Sequence, residues 1–462
     1  MEILKQVQRT IVESFHEISV HGFIFLVKRG NNILERLIWL ICITVGVYGI
    51  IELGSDTWHR YQTSPTVITM DRSKFAWNTS FPSLTVCSDK KIDDDKLEEY
   101  LKENPLKFPT DESKENARNF IKNLSLISYE TMSDFPLGIE GNIKPNEYLK
   151  LMSDLKWEFH PEISSGTSNK LILQRIITER GICDAVNTKT AYYNSYDYWK
   201  DNRWDLVEPN TTVVVHPLDG EIYAQLTNLS TAYSVFFHAS MEIPDISKQI
   251  HRFPQTDYTT VEFLALEILT SEDAKKLKPS QRNCRLENES EELLTSAIYS
   301  FNLCRSQCRF KMALRECKCI PWFYRSLDKN GKRYPICRPE GMRCIGKMKD
   351  EIITLKSKKK KIECDCMANC DNSNFFTQSI RSRVWFLGAN LQWGIIDYPK
   401  LQLKRELIFG LSDVLVYIGG LGGLFLGCSL LGFTELIFFF SWGLMKNIFK
   451  HFRKRSLIDI KP

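Results

Sequence analysis

The stretch that most constrains this chain runs from Val414 to Met445. It holds thirty-two residues with a single charged side chain, Glu435. About 20 apolar residues cross a bilayer as a helix, whereas thirty-two would reach about 48 Å against a hydrocarbon core of about 30 Å. The segment is therefore expected to enter a membrane and either to tilt strongly or to break on the way.

Glycines crowd the first two thirds of this stretch, and Gly427-Cys428-Ser429 is the clearest place for a break. Two interpretations stay open on these residues. Small residues four apart, such as Gly419 and Gly423, allow helices to pack closely. Alternatively, a broken helix with a nearby carboxylate indicates a pore, because irregular backbone and charge at membrane depth require protein or water around them.

A second apolar run, Leu37 to Ile51, predicts an uncleaved first membrane span. A cleaved signal peptide fits poorly, because the run begins late and no small-residue cleavage site follows it. Six basic residues after Met445 face one aspartate, and basic flanks stay cytoplasmic. We therefore predict five segments: a cytosolic 1–32, a first span 33–53, an extracellular 54–410, a second span with the pore 411–445, and a cytosolic tail 446–462.

The polar region between the two apolar runs carries the marks of an oxidising compartment. Twelve of the fourteen cysteines lie between Cys87 and Cys370, which favours a disulfide framework. Five glycosylation acceptor sites also fall there and none in the tails; they are Asn78, Asn123, Asn210, Asn228 and Asn288. A net charge of +5 with dispersed basic residues shows no nucleic-acid footprint.

Periodicity within this region predicts an α+β domain. Residues 93–103 and 111–126 are charged and helical in pattern, while 211–217, 231–238 and 260–269 are β-branched or aromatic and predict strands. From Glu291 to Met312 the pattern predicts a helix. The sheet is therefore expected to precede a disulfide-rich helical part.

The ten cysteines from Cys284 to Cys370 have a distinctive spacing. The three-residue gap between Cys304 and Cys308 recurs between Cys366 and Cys370, with Cys364 two residues before Cys366. A helix that displays Cys304 and Cys308 on one face would be bridged to a returning segment. Zinc is the competing reading of the Cys-x-Cys pairs, and the extracellular placement argues against it. No metal and no cofactor are expected.

Taken in order along nearly the whole chain, these features resemble the degenerin/epithelial sodium channel family, and within it the arthropod pickpocket-type branch. The matching elements are His21-Gly22, Phe81 to Cys87, Tyr299, Cys304, Cys308, Cys317-x-Cys319, Pro321, Cys364, Cys366, Cys370 and Gly427-Cys428-Ser429.

The resemblance implies a homo- or heterotrimeric, amiloride-sensitive, sodium-selective channel with an ectodomain like that of acid-sensing channels. The second span would line the pore, with Gly427, Cys428 and Ser429 as the filter. Glu435 and Asp413 would attract cations below and above it. The residues implied in gating are His21, Gly22, Val416, Tyr417, Gly419 and Gly420. The implied disulfides are Cys87–Cys183, Cys284–Cys370, Cys304–Cys366, Cys308–Cys364, Cys317–Cys344 and Cys319–Cys337.

The chain departs from the family pattern at several positions. Cys428 stands where alanine or serine is commoner, and Val416 stands where a small residue is usual. Tyr417 replaces an acidic or amide residue. Of the aromatic pair that couples ectodomain to first span, Tyr61 fits but no partner tryptophan is visible. Gating is therefore less transferable than fold or ion preference.

The sequence thus predicts a plasma-membrane channel subunit opened by an extracellular stimulus, with sodium as the permeant ion. The alternatives are a non-conducting accessory subunit that requires a partner, and an ATP-gated type of trimeric channel. An enzyme is not expected, because the polar region shows no nucleophile motif, metal-binding helix or phosphate loop. Peptide, acid, mechanical force, osmolarity and small chemicals all remain open as stimuli.

Overall fold

The computed structural model describes residues 22–28, 30, 32–158, 161–167, 170–207, 212–248, 250–356, 364–438 and 441–442. The chain divides into two compact units. One comprises Met1–Val67, Ser280–Arg282 and Leu407–Pro462, and the other comprises Ile68–Pro279 and Asn283–Glu406.

The helices of the described residues are numbered in chain order. They are α1 (Phe23–Val27), α2 (Ile33–Thr63), α3 (Asp94–Glu103), α4 (Asp111–Ser125), α5 (Tyr148–Asp154), α6 (Thr190–Tyr193), α7 (Tyr196–Lys200), α8 (Glu272–Lys275), α9 (Pro279–Arg282), α10 (Phe301–Cys317), α11 (Pro339–Gly346), α12 (Lys349–Thr354), α13 (Leu411–Leu426) and α14 (Leu430–Phe438).

The strands are numbered in the same way. They are β1 (Thr66–Asp71), β2 (Thr79–Ser80), β3 (Ser83–Ser88), β4 (Glu162–Ser165), β5 (Leu173–Thr178), β6 (Gly181–Val186), β7 (Val214–Val215), β8 (Ile222–Leu229), β9 (Tyr233–His238), β10 (His251–Phe253), β11 (Asp257–Thr270), β12 (Asn372–Val384), β13 (Ala389–Asp397) and β14 (Gln402–Leu407).

Helix α2 dominates the first unit. Its 31 residues extend ten beyond the end of the predicted span at 53, because the polar residues that follow keep the helical backbone. It ends at Ser64, whose N–H donates to the carbonyl of Arg60 at 2.9 Å, and Pro65 cannot continue a helix. Among the described residues α2 alone is long and apolar enough to cross a membrane, whereas α13 is apolar but only 16 residues long.

The second unit is built on a seven-stranded sheet in the order β1-β14-β11-β13-β8-β4, and the seventh strand, β12, also pairs with β11. Strand β11 pairs antiparallel with β12 and parallel with β13, where Tyr258 lies opposite Asn390. The expectation that the sheet precedes the cysteine-rich part was wrong, since β12, β13 and β14 follow it. The sequence pattern did not predict strand β12, because the strand is polar and mostly exposed along its length.

A five-stranded antiparallel sheet, β10-β9-β3-β6-β5, contains the Phe81–Cys87 signature. The side chains of Phe81, Leu84 and Val86 are fully buried. The Trp393 Nε1–H on the larger sheet donates to the carbonyl of Pro82 at 3.0 Å. The signature therefore serves as core and as the bridge between the two sheets.

Two of the three predicted helices are confirmed, and the start of the third is corrected. Helices α3 and α4 lie where they were predicted, but residues 291–300 are turns, and α10 begins only at Phe301. Serine side chains hold the local backbone in turns: Ser290 Oγ donates to Ala297 O at 2.7 Å, and Ser300 Oγ accepts from the N–H of Leu303. Such serine contacts compete with the helix and then cap its start.

Six disulfides cross-link the second unit, and four of them include α10 cysteines or the residues just after α10. The pairs are Cys87–Cys183, Cys284–Cys370, Cys304–Cys366, Cys308–Cys364, Cys317–Cys344 and Cys319–Cys337, with Cα atoms 4.6 to 6.0 Å apart. These are the pairs that the resemblance implies. All fourteen cysteines lie within the described residues, and among them only Cys42 and Cys428 carry free thiols. The cysteines that zinc would have required are therefore engaged in disulfides.

Candidate pore segment

The apolar stretch is broken at the predicted place. Helix α13 ends at Leu426, and Gly427 adopts left-handed angles, φ 60° and ψ 25°. The N–H of Gly427 donates to Gly423 O at 3.0 Å, and the N–H of Cys428 donates to Gly422 O at 3.1 Å. This is the hydrogen-bonding pattern that closes a helix at a glycine.

A second helix, α14, begins directly after the break. Ser429 Oγ accepts the N–H of Gly432 at 3.0 Å, which caps α14. Residues 427–429 therefore form a short non-helical link between the carbonyl end of one helix and the amide end of the next. The carbonyl end of α13 carries a partial negative charge of about half an electron, which favours a cation.

The two acidic residues of the predicted site lie on opposite sides of this link. Asp413 lies in the first turn of α13, where its carboxylate accepts the N–H of Gly410 at 2.8 Å and so starts the helix. Glu435 lies in α14, exposed in the single chain. It is six residues after Ser429, roughly 9 Å of helical rise. Asp413 thus has a capping role that its sequence position did not reveal.

Glycines on α2, rather than those on α13, make the close helix contact. A Cβ atom at Gly49 would lie 3.1 Å from the Phe425 ring, and one at Gly46 would lie 3.3 Å from the Phe425 carbonyl oxygen. By contrast, a Cβ at Gly419, Gly420 or Gly422 would meet no atom of the described chain within 4 Å. Within the described part of one chain, Gly419, Gly420 and Gly422 are therefore not used for packing.

The other predicted gating residues share this open side of α13. Val416 is 76% exposed and Tyr417 46%, whereas Val414 and Leu421 are buried. Their exposed side chains are available either to other copies of the chain or to a water-filled path.

The short α1 helix packs onto the start of α2. The rings of Phe25 and Trp39 stack with centroids 4.4 Å apart and planes 13° apart. Gly22 has φ 91°, and a Cβ there would lie 3.2 Å from Ile43, so both conformation and space call for glycine. His21, predicted alongside it, lies outside the described residues.

A contact that the sequence reading missed involves Tyr61 near the end of α2. Gln281 Nε2–H donates to the Tyr61 carbonyl oxygen at 3.2 Å, and the rings of Trp58 and Tyr61 lie 5.7 Å apart. Gln281 is buried and belongs to the three-residue segment Ser280–Arg282 that clusters with the helices. Gln281 therefore ties its segment to the backbone of Tyr61, while the tryptophan beside the Tyr61 ring is Trp58 of the same helix. No single-sequence pattern marks the Gln281 contact.

The sequence patterns also did not predict a buried network of charged residues in the second unit. Arg309 on α10 is 1% exposed and donates to Glu179 at 2.8 Å and to Asp245 at 2.8 Å. The Tyr324 hydroxyl donates to Glu179 Oε1 at 2.6 Å. Burial raises the pKa of Asp245, but Arg309 and its other partners outweigh burial and hold the pKa below its ordinary value. The network ties α10 to two segments more than sixty residues away in sequence.

Four of the five predicted glycosylation sites, Asn78, Asn123, Asn228 and Asn288, are exposed. Asn210 lies outside the described residues. The exposed side chains are sterically open to the modification.

Comparison with known proteins places the chain in a family. The amiloride-sensitive sodium channel family matches residues 14–439. Pickpocket protein 28 of Drosophila melanogaster is 23% identical, over 94% of this chain and 78% of its own length. Sodium channel protein Nach of the same species is 21% identical, over 96% of this chain and 89% of its own length.

A solved structure of a proton-activated chloride channel covers 89% of this chain and 96% of its own, at 8% identity and a TM-score of 0.23; a score this low carries no argument about the fold. The family match covers most of the chain, and the relatives match it nearly end to end. The chain therefore belongs to the degenerin/epithelial sodium channel family of ion channels, in its arthropod pickpocket-type branch.

Proposed function

We propose that this chain is a subunit of a trimeric, amiloride-sensitive, sodium-selective cation channel of the plasma membrane, opened by an extracellular stimulus. The second apolar segment crosses the membrane and lines the pore, and both chain ends are cytosolic. Sodium is the permeant ion and no cofactor takes part.

The observation that carries the proposal is the break at Gly427-Cys428-Ser429. A link that exposes backbone carbonyls and a serine hydroxyl would be costly against lipid. Around a threefold axis the same groups would form rings of oxygens that replace the hydration shell of a small cation. The carbonyl end of α13 adds partial negative charge at this level, and Glu435 adds full charges below it.

Assembly is supported by the outer edge of β12. This 13-residue strand pairs with β11 on one side, and no described strand pairs with its other side. A long open edge with apolar side chains invites pairing with another chain unless it is covered. Phe376 is 54% exposed, Val384 80% and Phe386 84%, so a neighbouring subunit is the natural cover.

The test is whole-cell recording from cells that express this chain alone, with sodium or potassium outside and with or without amiloride. Ser429→Asp should shift the reversal potential at unchanged surface level, because it adds charge at the proposed filter while it retains a helix cap. Ser164→Asp, at an exposed position of strand β4 in the second unit, is the control for added charge, and it should leave selectivity unchanged.

Each outcome has a separate meaning. If Ser429→Asp reaches the surface with unaltered selectivity, residues 427–429 are not the filter. If the variant lowers trimer content and surface level together, these residues serve helix packing. If the parent chain reaches the surface and carries no current until a related subunit is added, it is an accessory subunit.

A further inference from the structure

An open cavity of about 520 Å³ lies in the second unit, beside the Cys87–Cys183 disulfide and the end of α4. Its volume falls in the range of about 300–1,000 Å³ that is usual for small-molecule sites. Three cationic side chains from separate segments line it, Lys91, Arg180 and Arg252, together with two carboxylates, Asp89 and Glu130. The lining thus carries an excess of one positive charge.

Both carboxylates that line the cavity form ion pairs with arginines. Arg252 Nη2 lies 2.6 Å from Asp89 Oδ2, which is a tight pair. Arg180 Nη2 lies 3.7 Å from Glu130 Oε2, which leaves the guanidinium with unused donors.

Lys91 has no such partner. Its Nζ contacts the disulfide sulfur of Cys183 at 3.7 Å, and sulfur is a weak acceptor. No carboxylate oxygen of the described residues lies within salt-bridge distance of this ammonium group. A half-buried ammonium group with three donors and no oxygen acceptor in the described part of the chain is a suitable place for an anion.

One part of the cavity wall is apolar. Leu126, which is 55% exposed, Ile127 and Ile250 all line the cavity. A bare inorganic anion would leave this wall and most of the volume unused. A ligand with a charged head and an apolar body would use both.

We propose that this cavity binds a small extracellular organic carboxylate, with its carboxylate at Lys91 and Arg180 and its apolar body against Leu126 and Ile250. The site is separate from the pore segment and does not depend on which ion the channel passes. An occupant would contact both the segment that follows α4 and the disulfide that joins β3 to β6.

The electrostatics give this binding a pH dependence. Burial, with Arg180 and Lys156 nearby, lowers the pKa of Lys91 to about 8, against the opposing effect of Asp184 and Asp89. Below this pH the ammonium is charged and an anion gains the full interaction. Bound carboxylate raises the pKa, and affinity therefore falls as pH rises beyond about 8.

The test measures how fast an amine-acetylating reagent modifies Lys91 in the purified full-length chain, by peptide mass spectrometry. Hexanoate is the probe, and hexanamide is its neutral equivalent of the same shape. Lys90 is an internal reference, since its Nζ pairs with Asp94 at 3.3 Å and its side chain is 39% exposed. At tenfold excess over its dissociation constant, hexanoate should slow acetylation of Lys91 roughly tenfold and leave Lys90 unchanged.

Hexanamide and sodium chloride at equal ionic strength should not protect Lys91. The hexanoate-dependent rise in melting temperature should disappear in Lys91→Gln and persist in Lys91→Arg and Lys90→Gln. Equal protection by hexanamide would show an apolar pocket without anion recognition, and equal protection by chloride would show charge screening. Absence of protection would show that the cavity binds no carboxylate. Each of these three results overturns the proposal, and none bears on ion conduction.

Discussion

At several positions in this chain, the available space or the neighbouring hydrogen-bonding groups restrict which residue type fits. Gly427 stands where a left-handed backbone closes α13, and Gln281 reaches the carbonyl of Tyr61. Val416 is exposed on α13 although its neighbour Val414 is buried. Single substitutions at such positions therefore separate a functional role from a packing role.

Val416→Ala is expected to reduce standing amiloride-sensitive current. In the proposed trimer, three copies of the exposed Val416 would face one another and crowd the closed pore. Alanine would relieve this crowding without the backbone entropy that glycine adds. A change of about 1.4 kcal/mol in the gating balance alters the open-to-closed ratio tenfold. Current is normalised to surface protein, with the exposed neighbour Leu415→Ala as control. A rise in current would instead indicate a hydrophobic constriction that gates by dewetting.

His238→Gln is expected to flatten the acid side of the stability profile. Burial lowers the pKa of His238 to about 4, and its ring contacts Thr85 Oγ1 and Ala239 O, each at 2.8 Å. Between about pH 6.5 and 4 the unfolded chain binds a proton that the folded chain does not. The free energy of unfolding therefore decreases as the pH is lowered from about 6.5 to 4, by up to about 3 kcal/mol.

Thermal unfolding of parent and variant from pH 7.5 to 4 isolates this contribution, since all other titrating groups are shared. Parallel profiles for the two proteins would show that His238 is not held neutral in the folded chain.

Helices and strands are held by a few close contacts between partners distant in sequence. Helix α2 meets α13 through Gly46 and Gly49 against Phe425. The segment 291–300 has a helical composition but forms turns, because serine side chains bond to the nearby backbone. Element boundaries here depend on local hydrogen bonds that a periodic pattern does not register.

Gly49→Ala is expected to weaken the association of α2 with α13. Its Cβ would lie 3.1 Å from the Phe425 ring, which must shift. Gly54→Ala on the same helix meets no atom within 4 Å and should stabilise it by about 1 kcal/mol through helix propensity. Melting of the purified channel and surface expression compare the two variants. Equal effects would mean that the Phe425 contact is not close in the assembled channel.

At the scale of the whole molecule, the chain passes four times between an apolar helical unit and an αβ unit that disulfides cross-link. The second unit leaves the edge of β12 open, with apolar side chains exposed along it and after it. Assembly of several copies is the simplest way to cover this edge.

Val384→Lys is expected to reduce the trimer fraction, because it places a charge on the exposed edge strand. Leu106→Lys is the control, since Leu106 is 96% exposed and belongs to a different region. Size-exclusion chromatography with light scattering measures the oligomer, and disulfide content checks that the fold is retained. A trimer fraction equal to that of the control would place the subunit contact elsewhere.

The sequence by itself determined the features that depend on neighbours along the chain. Two apolar runs, the order of the cysteines, helices α3 and α4 and the break at residues 427–429 are all readable, because glycine angles, serine caps and hydrophobic runs act within a few residues. Strand β12 was missed because an exposed edge strand lacks the alternation that marks a half-buried one.

Only the tertiary structure decided the contacts between distant segments. It placed Gln281 beside Tyr61, Arg309 beside Glu179 and Asp245, and Phe425 against Gly49. It also left Lys91 facing a cavity without a carboxylate partner among the described residues. These partners lie dozens to hundreds of residues apart, so no local pattern encodes them. These contacts form only when the whole core packs. Packing then brings opposite charges together and places small residues beside large ones.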